Sequence, residues 1–373
     1  MEKIAFISGG IFIYWSSIIL SLAALAAIAI FAAMYLSKSD DVVGVSVTIP
    51  LAMVGSIVLS RLIHWYCRSD AYASMNAALT DYTKGGYALM GVFVACIAVA
   101  AILRLIRVTK NLLQMYDSMA IGAGVGIAVG RLASLFNASD RGMALPDSVG
   151  FPFAVPVTNT VSGVVENRLA TFMIQSGIVA AVVVLLALYM LICKISRHKI
   201  PDGDIFLIFL LAYGASQIIC DSTRYDSLFL RSNGFVSVVQ ILSLVGLLVP
   251  IVVFSVRSVM QMKLKPFHFV CWVLILAMMG LAGYMEYYVQ RHGNEAAFAY
   301  SLMGSALVAI VLITLVLRGV GNFVGNRKNL VVEITEETSA ESNEEYEYEY
   351  AEAEEEAVEE VVVNESSETA EKA

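Results

Sequence analysis

The chain has 373 residues, of which 58% are hydrophobic and 15% charged, with a mean hydropathy of +0.75 and a formal net charge of −8. This composition excludes a water-soluble globular domain, because several apolar runs reach the roughly 20 residues needed to cross a hydrocarbon core about 30 Å thick. The charge is divided: 17 glutamates and one lysine follow from Glu333 onward, a net of −16 that leaves +8 on the body, the balance expected of a protein held in anionic lipid.

The apolar runs predict nine helices, at residues 11–36, 47–66, 87–105, 116–135, 170–192, 205–220, 236–256, 269–289 and 300–317. The fold class that follows is all-α, a polytopic transmembrane helix bundle. Lys3 precedes the first run, but no small-residue cleavage site closes a short apolar core, so this run reads as a retained span and not a signal peptide. Glycines and polar groups interrupt the fourth and sixth runs, as they do in spans that line a cavity. The longest connection of the body, 136–166, carries Pro146, Pro152 and Pro156 and is expected to be a functional lid or an unstructured segment. Beyond Arg327, the stretch EEYEYEYAEAEEEAVEEVVV has too much like charge to pack. It reads as a disordered cytoplasmic tail, with a basic cytoplasmic protein as its candidate partner.

Lys and Arg in the loops set the orientation. With the N-terminus outside, thirteen fall at inside ends and nine at outside ends. The inside charges cluster just beyond span ends, whereas several outside ones sit in Asp- and Asn-containing turns. The expected topology is N-terminus out and C-terminus in. Cys67, Cys96, Cys193, Cys220 and Cys271 lie in or beside spans with no pair at metal-ligand spacing, and they read as buried structural thiols. No metal, cofactor or nucleic-acid partner is expected.

Three polar clusters break the apolar pattern. The first closes the second span, with Arg61, His64, Tyr66 and Arg68 in SRLIHWYCR. An aromatic and basic interfacial belt accounts for it as well as a site does, and His64 alone reads as an interfacial histidine more readily than as a base. The second is a glycine-rich helix, IGAGVGIAVG, that begins near Asp117 and runs into Arg131, Asn137, Asp140 and Arg141. Small residues let neighbouring backbones approach closely. A cation at membrane depth is costly, and a guanidinium matches phosphate geometry. Arg131 is therefore expected to contact a phosphate, against the alternative of a structural pair with a carboxylate such as Asp221. Asp117 near a helix start is already favoured by the macrodipole. In the third cluster Tyr213, Gln217, Asp221 and Arg224 recur at i, i+4, i+8 and i+11. That spacing predicts one polar face on a span that has no solvated face unless it lines a cavity.

Collinear order adds a family. Trp15 in IYWSS, the R-x-x-x-x-Y of Arg61 and Tyr66, and the glycines Gly85, Gly86 and Gly91 come first. Asp117, the glycine-rich helix ending in Gly130 and Arg131, the Asn137 turn, Tyr213 to Arg224, and Gln240 with Ser243 follow. Over about residues 10–256 this series resembles prolipoprotein diacylglyceryl transferase, a seven-span membrane enzyme. The resemblance implies domains at 1–258 (a transferase-like core), 259–328 (two added helices) and 329–373 (the acidic tail). Several positions depart from the family pattern. Met90 stands where the family has its catalytic histidine, Gln217 replaces an arginine, and Ser134 replaces an asparagine. Ser139 or Asp140 stands at the glutamate, and little but Gln175 is left of the motif before the fifth span.

The resemblance implies transfer of a diacylglyceryl group from phosphatidylglycerol to the lipobox cysteine thiol of prolipoprotein signal peptides, at the outer face of the plasma membrane. It assigns Arg131, Tyr213 and Asp221 to catalysis, and Arg61, Asn137, Asp140, Gln217 and Arg224 to substrate binding. The base is missing, with His64, Asp140 and Tyr213 as candidates. A non-catalytic phospholipid- or lipoprotein-binding protein of the same fold is the alternative. A small-solute transporter would fit the polar stripe but lacks a visible inverted repeat.

Overall fold

The computed structural model describes residues 3–81, 86–137, 139–158, 163–230, 233–292 and 296–325. The acidic tail lies outside the described residues. Contacts divide the chain into two compact units. Met1–Phe254 with Phe269–Leu315 forms the first and holds every residue discussed as a site. The second contains Ser255–His268 and, among the described residues, 316–325. Within that second unit His268 is fully buried and its Nε2 lies 3.2 Å from the Ser258 hydroxyl.

Nine long helices form among the described residues, as the apolar runs predict. They are α1 (Trp15–Leu36), α2 (Val42–Cys67), α4 (Leu89–Leu105), α5 (Leu112–Gly130), α6 (Thr171–Ile195), α7 (Asp204–Ser222), α8 (Val238–Met262), α9 (Pro266–Arg291) and α10 (Ala296–Gly325), with a short α3 (Met75–Thr80) before α4. Eight are long and apolar enough to cross a membrane, so the chain is a multi-pass membrane protein. The exception, α4, has 17 residues and is about 25 Å long at 1.5 Å per residue.

The sequence reading needs correcting at the N-terminus. Residues 11–14 are not the start of a helix but β2 (Ile11–Tyr14), paired antiparallel with β1 (Ile4–Ser8). Gly9 and Gly10 adopt φ of +58° and +83°, which close a two-residue hairpin at no steric cost. Two further hairpins occur among the described residues. One, β3 (Ala154–Thr158) with β4 (Val165–Leu169), lies inside the 136–166 connection and just beyond it; the other is β5 (Phe229–Leu230) with β6 (Asn233–Ser237).

Small residues set the helix contacts. Gly122, Gly126 and Gly130 recur every fourth position on α5, and a Cβ at these positions would meet Ala27, Ala23 or Leu20 of α1. The match runs antiparallel, so the end of α5 reaches the start of α1, where the Trp15 and Phe136 rings lie 6.2 Å apart. Gly91 of α4 abuts the Ser60 backbone of α2, and Gly214 of α7 abuts Ser243 and Leu247 of α8. Without a hydrophobic force between helices in lipid, such close approach supplies the packing. With this up-and-down order, the three hairpins and the connection from α2 to α4 gather at one end of the helices. At the opposite end Asp117 has a role the sequence did not reveal. Its carboxylate accepts the N–H groups of Gly203 and Phe206, both at 2.8 Å, and so caps α7 rather than its own helix.

Candidate functional site

At the hairpin end a cavity of about 330 Å³ opens. Its polar lining comes from four places: α2 (His64), the connection before α4 (Gly86, Tyr87), the turn after α5 (Arg131, Ser139, Asp140), and the end of α7 with its following loop (Gln217, Asp221, Arg224, Asp226). Met90 and Leu89 at the start of α4 and Val239 of α8 supply apolar wall. Local rules put these groups there. Helix α5 gives way at Gly130 to a 3₁₀ turn, Arg131–Leu135. Asn137 then accepts bonds from the Ser139 backbone N–H (3.1 Å) and hydroxyl, an Asx-type turn. Asp140 follows with φ +58°, a left-handed conformation that Asp tolerates better than most residues.

Asp140 is the hub. Its Oδ1 lies 2.8 Å from Arg131 and 2.8 Å from Arg224, and its Oδ2 accepts the Ser134 hydroxyl at 2.9 Å. Its backbone N–H donates to Asp226 at 3.0 Å, and Asp226 also pairs with Arg224 Nε at 3.0 Å. Burial works against the Asp140 charge, but Arg131 and Arg224 outweigh it and hold the carboxyl at about 2. Burial likewise opposes the charge on Arg224, and Asp140 with Asp226 holds it more firmly protonated than an ordinary arginine. Asp221 stands 3.9 Å from Arg224 and accepts a hydrogen bond from the Ser237 hydroxyl.

The two arginines differ in what remains free. Arg224 is ringed by Asp140, Asp221 and Asp226. Arg131 spends one terminal nitrogen on Asp140, while its buried Nε has no hydrogen-bond partner. A fork with unspent donors at the edge of a cavity is suited to an anion.

Of the eight residues expected at a site, Arg131, Asp140, Gln217, Asp221 and Arg224 line the cavity. The carboxylate that pairs with Arg131 is Asp140, not Asp221. The helical-face argument holds for Gln217 and Asp221, which line the cavity, but not for Tyr213, which does not. It does not hold for Arg224, which lies beyond the end of α7 at Ser222 and bridges to Gly142. The other three stand behind the walls. Tyr213 is 3% exposed between Phe93 and Phe209, its hydroxyl buried without a hydrogen bond. Asn137 builds the turn and accepts from Arg141 through its carbonyl oxygen. Arg61 is 1% exposed and reaches across to the connection before α4, donating to the Tyr72 hydroxyl and to the carbonyls of Gly86 and Asp81. Its plane also lies 4.9 Å from the Tyr87 ring centroid.

Sequence reasoning left out Asp226, Ser237 and Glu286, weighed His64 only as a candidate base, and named Ser134 only as a departure from the family pattern. One of these had a legible signal: Ser237 and Gln240 form a capping box at the start of α8, each bonding the other's backbone N–H (3.0 and 3.2 Å).

Comparison with known proteins gives a consistent result. The family model described as prolipoprotein diacylglyceryl transferase matches residues 3–256. Relatives named phosphatidylglycerol–prolipoprotein diacylglyceryl transferase occur in Finegoldia magna (25% identical over 254 residues, 65% of this chain and 93% of that protein) and Clostridioides difficile (24% over 252, 66% and 92%). Another, from Lactococcus lactis subsp. cremoris, is 26% identical over 269 residues, 69% of this chain and 95% of that protein.

Proposed function

The chain belongs to the prolipoprotein diacylglyceryl transferase family, and on that footing we propose that it transfers a diacylglyceryl group from phosphatidylglycerol to the lipobox cysteine of prolipoproteins. The observation that carries this reading is the Arg131–Asp140–Arg224 cluster on a cavity at the hairpin end of the helices.

In the reaction a cysteine sulfur attacks the glyceryl carbon, a thioether forms, and the carbon–oxygen bond to phosphate breaks, with glycerol phosphate leaving. Negative charge grows on the departing phosphate, so fixed donors aimed at it lower the barrier. Arg131 is the residue with donors to give. Asp140 holds Arg131 and Arg224 in one geometry, so that neither has to reorganise when the headgroup arrives. Gln217, whose buried amide nitrogen has no partner, is suited to bond a headgroup oxygen. Asp221 orients Arg224 from the second side. Tyr213, Asn137 and Arg61 act through structure: Tyr213 backs the arginines, Asn137 shapes the Asp140 turn, and Arg61 ties down the connection that roofs the cavity. Prolipoprotein signal peptides and phosphatidylglycerol are the substrates. The site faces outward, with α10 leading to a cytoplasmic acidic tail.

The test uses purified protein, phosphatidylglycerol vesicles and a lipobox peptide, with release of glycerol phosphate as the readout. Release by the wild type that falls at least 100-fold in Arg131→Ala supports the reading. A wild type no faster than the variant leaves only the non-catalytic lipid-binding alternative.

A further inference from the structure

We propose that His64 is the base that takes the cysteine proton, replacing the family histidine whose place Met90 occupies. This rests on the transferase reading above. A neutral thiol is a weak nucleophile, so the reaction needs a group that accepts its proton at the reacting centre. The cavity offers few.

Asp140 is held as a carboxylate by two arginines and a serine, and every oxygen is engaged. Asp226 is bound to Arg224 and to the Asp140 backbone. Asp221 accepts from Ser237 through one oxygen, and its other oxygen has no hydrogen-bond partner but faces the Arg224 cation at 3.9 Å, which disfavours its taking a proton. The Tyr213 hydroxyl does not line the cavity. His64 does, in company with Met90. It is the histidine of the described lining, and it lies on a different helix from the one that carried the family's base.

Its hydrogen bonds suit the task. Nδ1 lies 3.0 Å from the Tyr72 hydroxyl, and Arg61 donates to that same oxygen at 3.3 Å. In the tautomer whose Nδ1–H donates to that oxygen, Nε2 is unprotonated and can accept a proton. Nε2 has no hydrogen-bond partner among the described residues. The ring is also locked in place: it stands edge-on to Tyr72 at 5.7 Å, and a Cβ on Gly86 would meet His64 Cε1 at 2.5 Å. Gly86 has φ +95° and must stay glycine for the roof to close over the imidazole. This arrangement gives the Arg61 cluster a purpose that an interfacial belt does not, because the tyrosine–histidine pair is oriented by a buried arginine. The charged and titratable groups around His64 are Arg61 and Arg68 from its own helix end and Tyr72 and Tyr87 from the roof. Across the cavity stand Arg131, Asp140, Asp221, Arg224 and Asp226.

In the step, the cysteine S–H proton passes to Nε2 and the sulfur's electron pair forms the carbon–sulfur bond. The carbon–oxygen pair leaves with glycerol phosphate beside Arg131, and the imidazolium then returns its proton to that leaving group or to water. The experiment measures glycerol phosphate release from full-length protein against pH, with phosphatidylglycerol vesicles and lipobox peptide. Variants are His64→Gln, His64→Gly with and without added imidazole, and the double variant His64→Gln with Met90→His. Thermal unfolding checks that each variant folds. The proposal expects His64→Gln to lower kcat roughly 10²–10⁴-fold with little change in KM. It also expects the imidazole limb of the pH profile to vanish, and either imidazole or the second-site histidine to restore rate. Wild-type kcat and pH profile in a folded His64→Gln protein overturn the assignment while leaving the transferase reading intact. An inactive wild type overturns both.

Discussion

At the residue scale the site is organised by one carboxylate. Asp140 serves two guanidiniums through a single oxygen and a serine through the other, so its charge is the common support of Arg131 and Arg224. Its carboxyl is held at about 2, below the ordinary value near 4. A group depressed in the folded state adds stability that is complete above its ordinary value and lost as pH falls through the folded one. For Asp140 that window runs from about pH 4 down to about pH 2 and is worth roughly 2 kcal/mol. The unfolding midpoint in detergent is therefore expected to be indifferent to this group from pH 8 to 5 and to fall below pH 4. Asp140→Asn should flatten the acid fall and cost on the order of 3 kcal/mol at neutral pH, since it leaves buried cations without their counter-charge. An unchanged acid slope in the variant would show that the two arginines do not depend on Asp140.

At the element scale α9 reaches into the family core from outside the matched region. Glu286 of α9 accepts from the Ser222 hydroxyl at the end of α7 and from the Gln240 amide of α8 at 3.0 Å. Gln240 caps Ser237, and Ser237 bonds Asp221. Tyr300 of α10 donates to the Ser222 carbonyl at 3.0 Å. The last two long helices thus hold the α7–α8 corner on which Asp221 and Arg224 sit. Glu286→Leu leaves a hydroxyl and an amide without their acceptor and should cost about 1–3 kcal/mol. The rate of glycerol phosphate release should drop with it, and Glu286→Gln should recover part of both. Wild-type stability in the leucine variant would mean that this corner stands without α9. The helices themselves were legible because 3.6-residue packing and lipid both demand long apolar runs. The hairpins were less so, although isoleucine and phenylalanine on either side of Gly9–Gly10 carry the signal of a two-residue turn. The position of Asp117 was unreadable, because its partners, Gly203 and Phe206, lie 86 and 89 residues away.

For the whole molecule, charge asymmetry in the loops argues for an outer site and an inner tail. A cysteine-accessibility scan in intact cells should label a cysteine placed at Gly150 from outside and one placed in the acidic tail only after permeabilisation. Tail labelling in intact cells would invert the orientation. The membrane class, the number of long helices among the described residues and the small-residue face of α5 were all determined by the sequence itself, which also marked Arg131, Asp221 and Arg224 as candidates. Bilayer thickness and the cost of buried charge act on local composition, which any single stretch displays. Only the tertiary structure decided that Arg131 pairs with Asp140, that Arg61 and Tyr213 stand behind the cavity, and that His64 shares it with Met90. Those outcomes depend on which distant backbones come into contact. In this chain, contact is set by glycines whose partners lie on other helices, and nothing in the spacing along one helix records who those partners are.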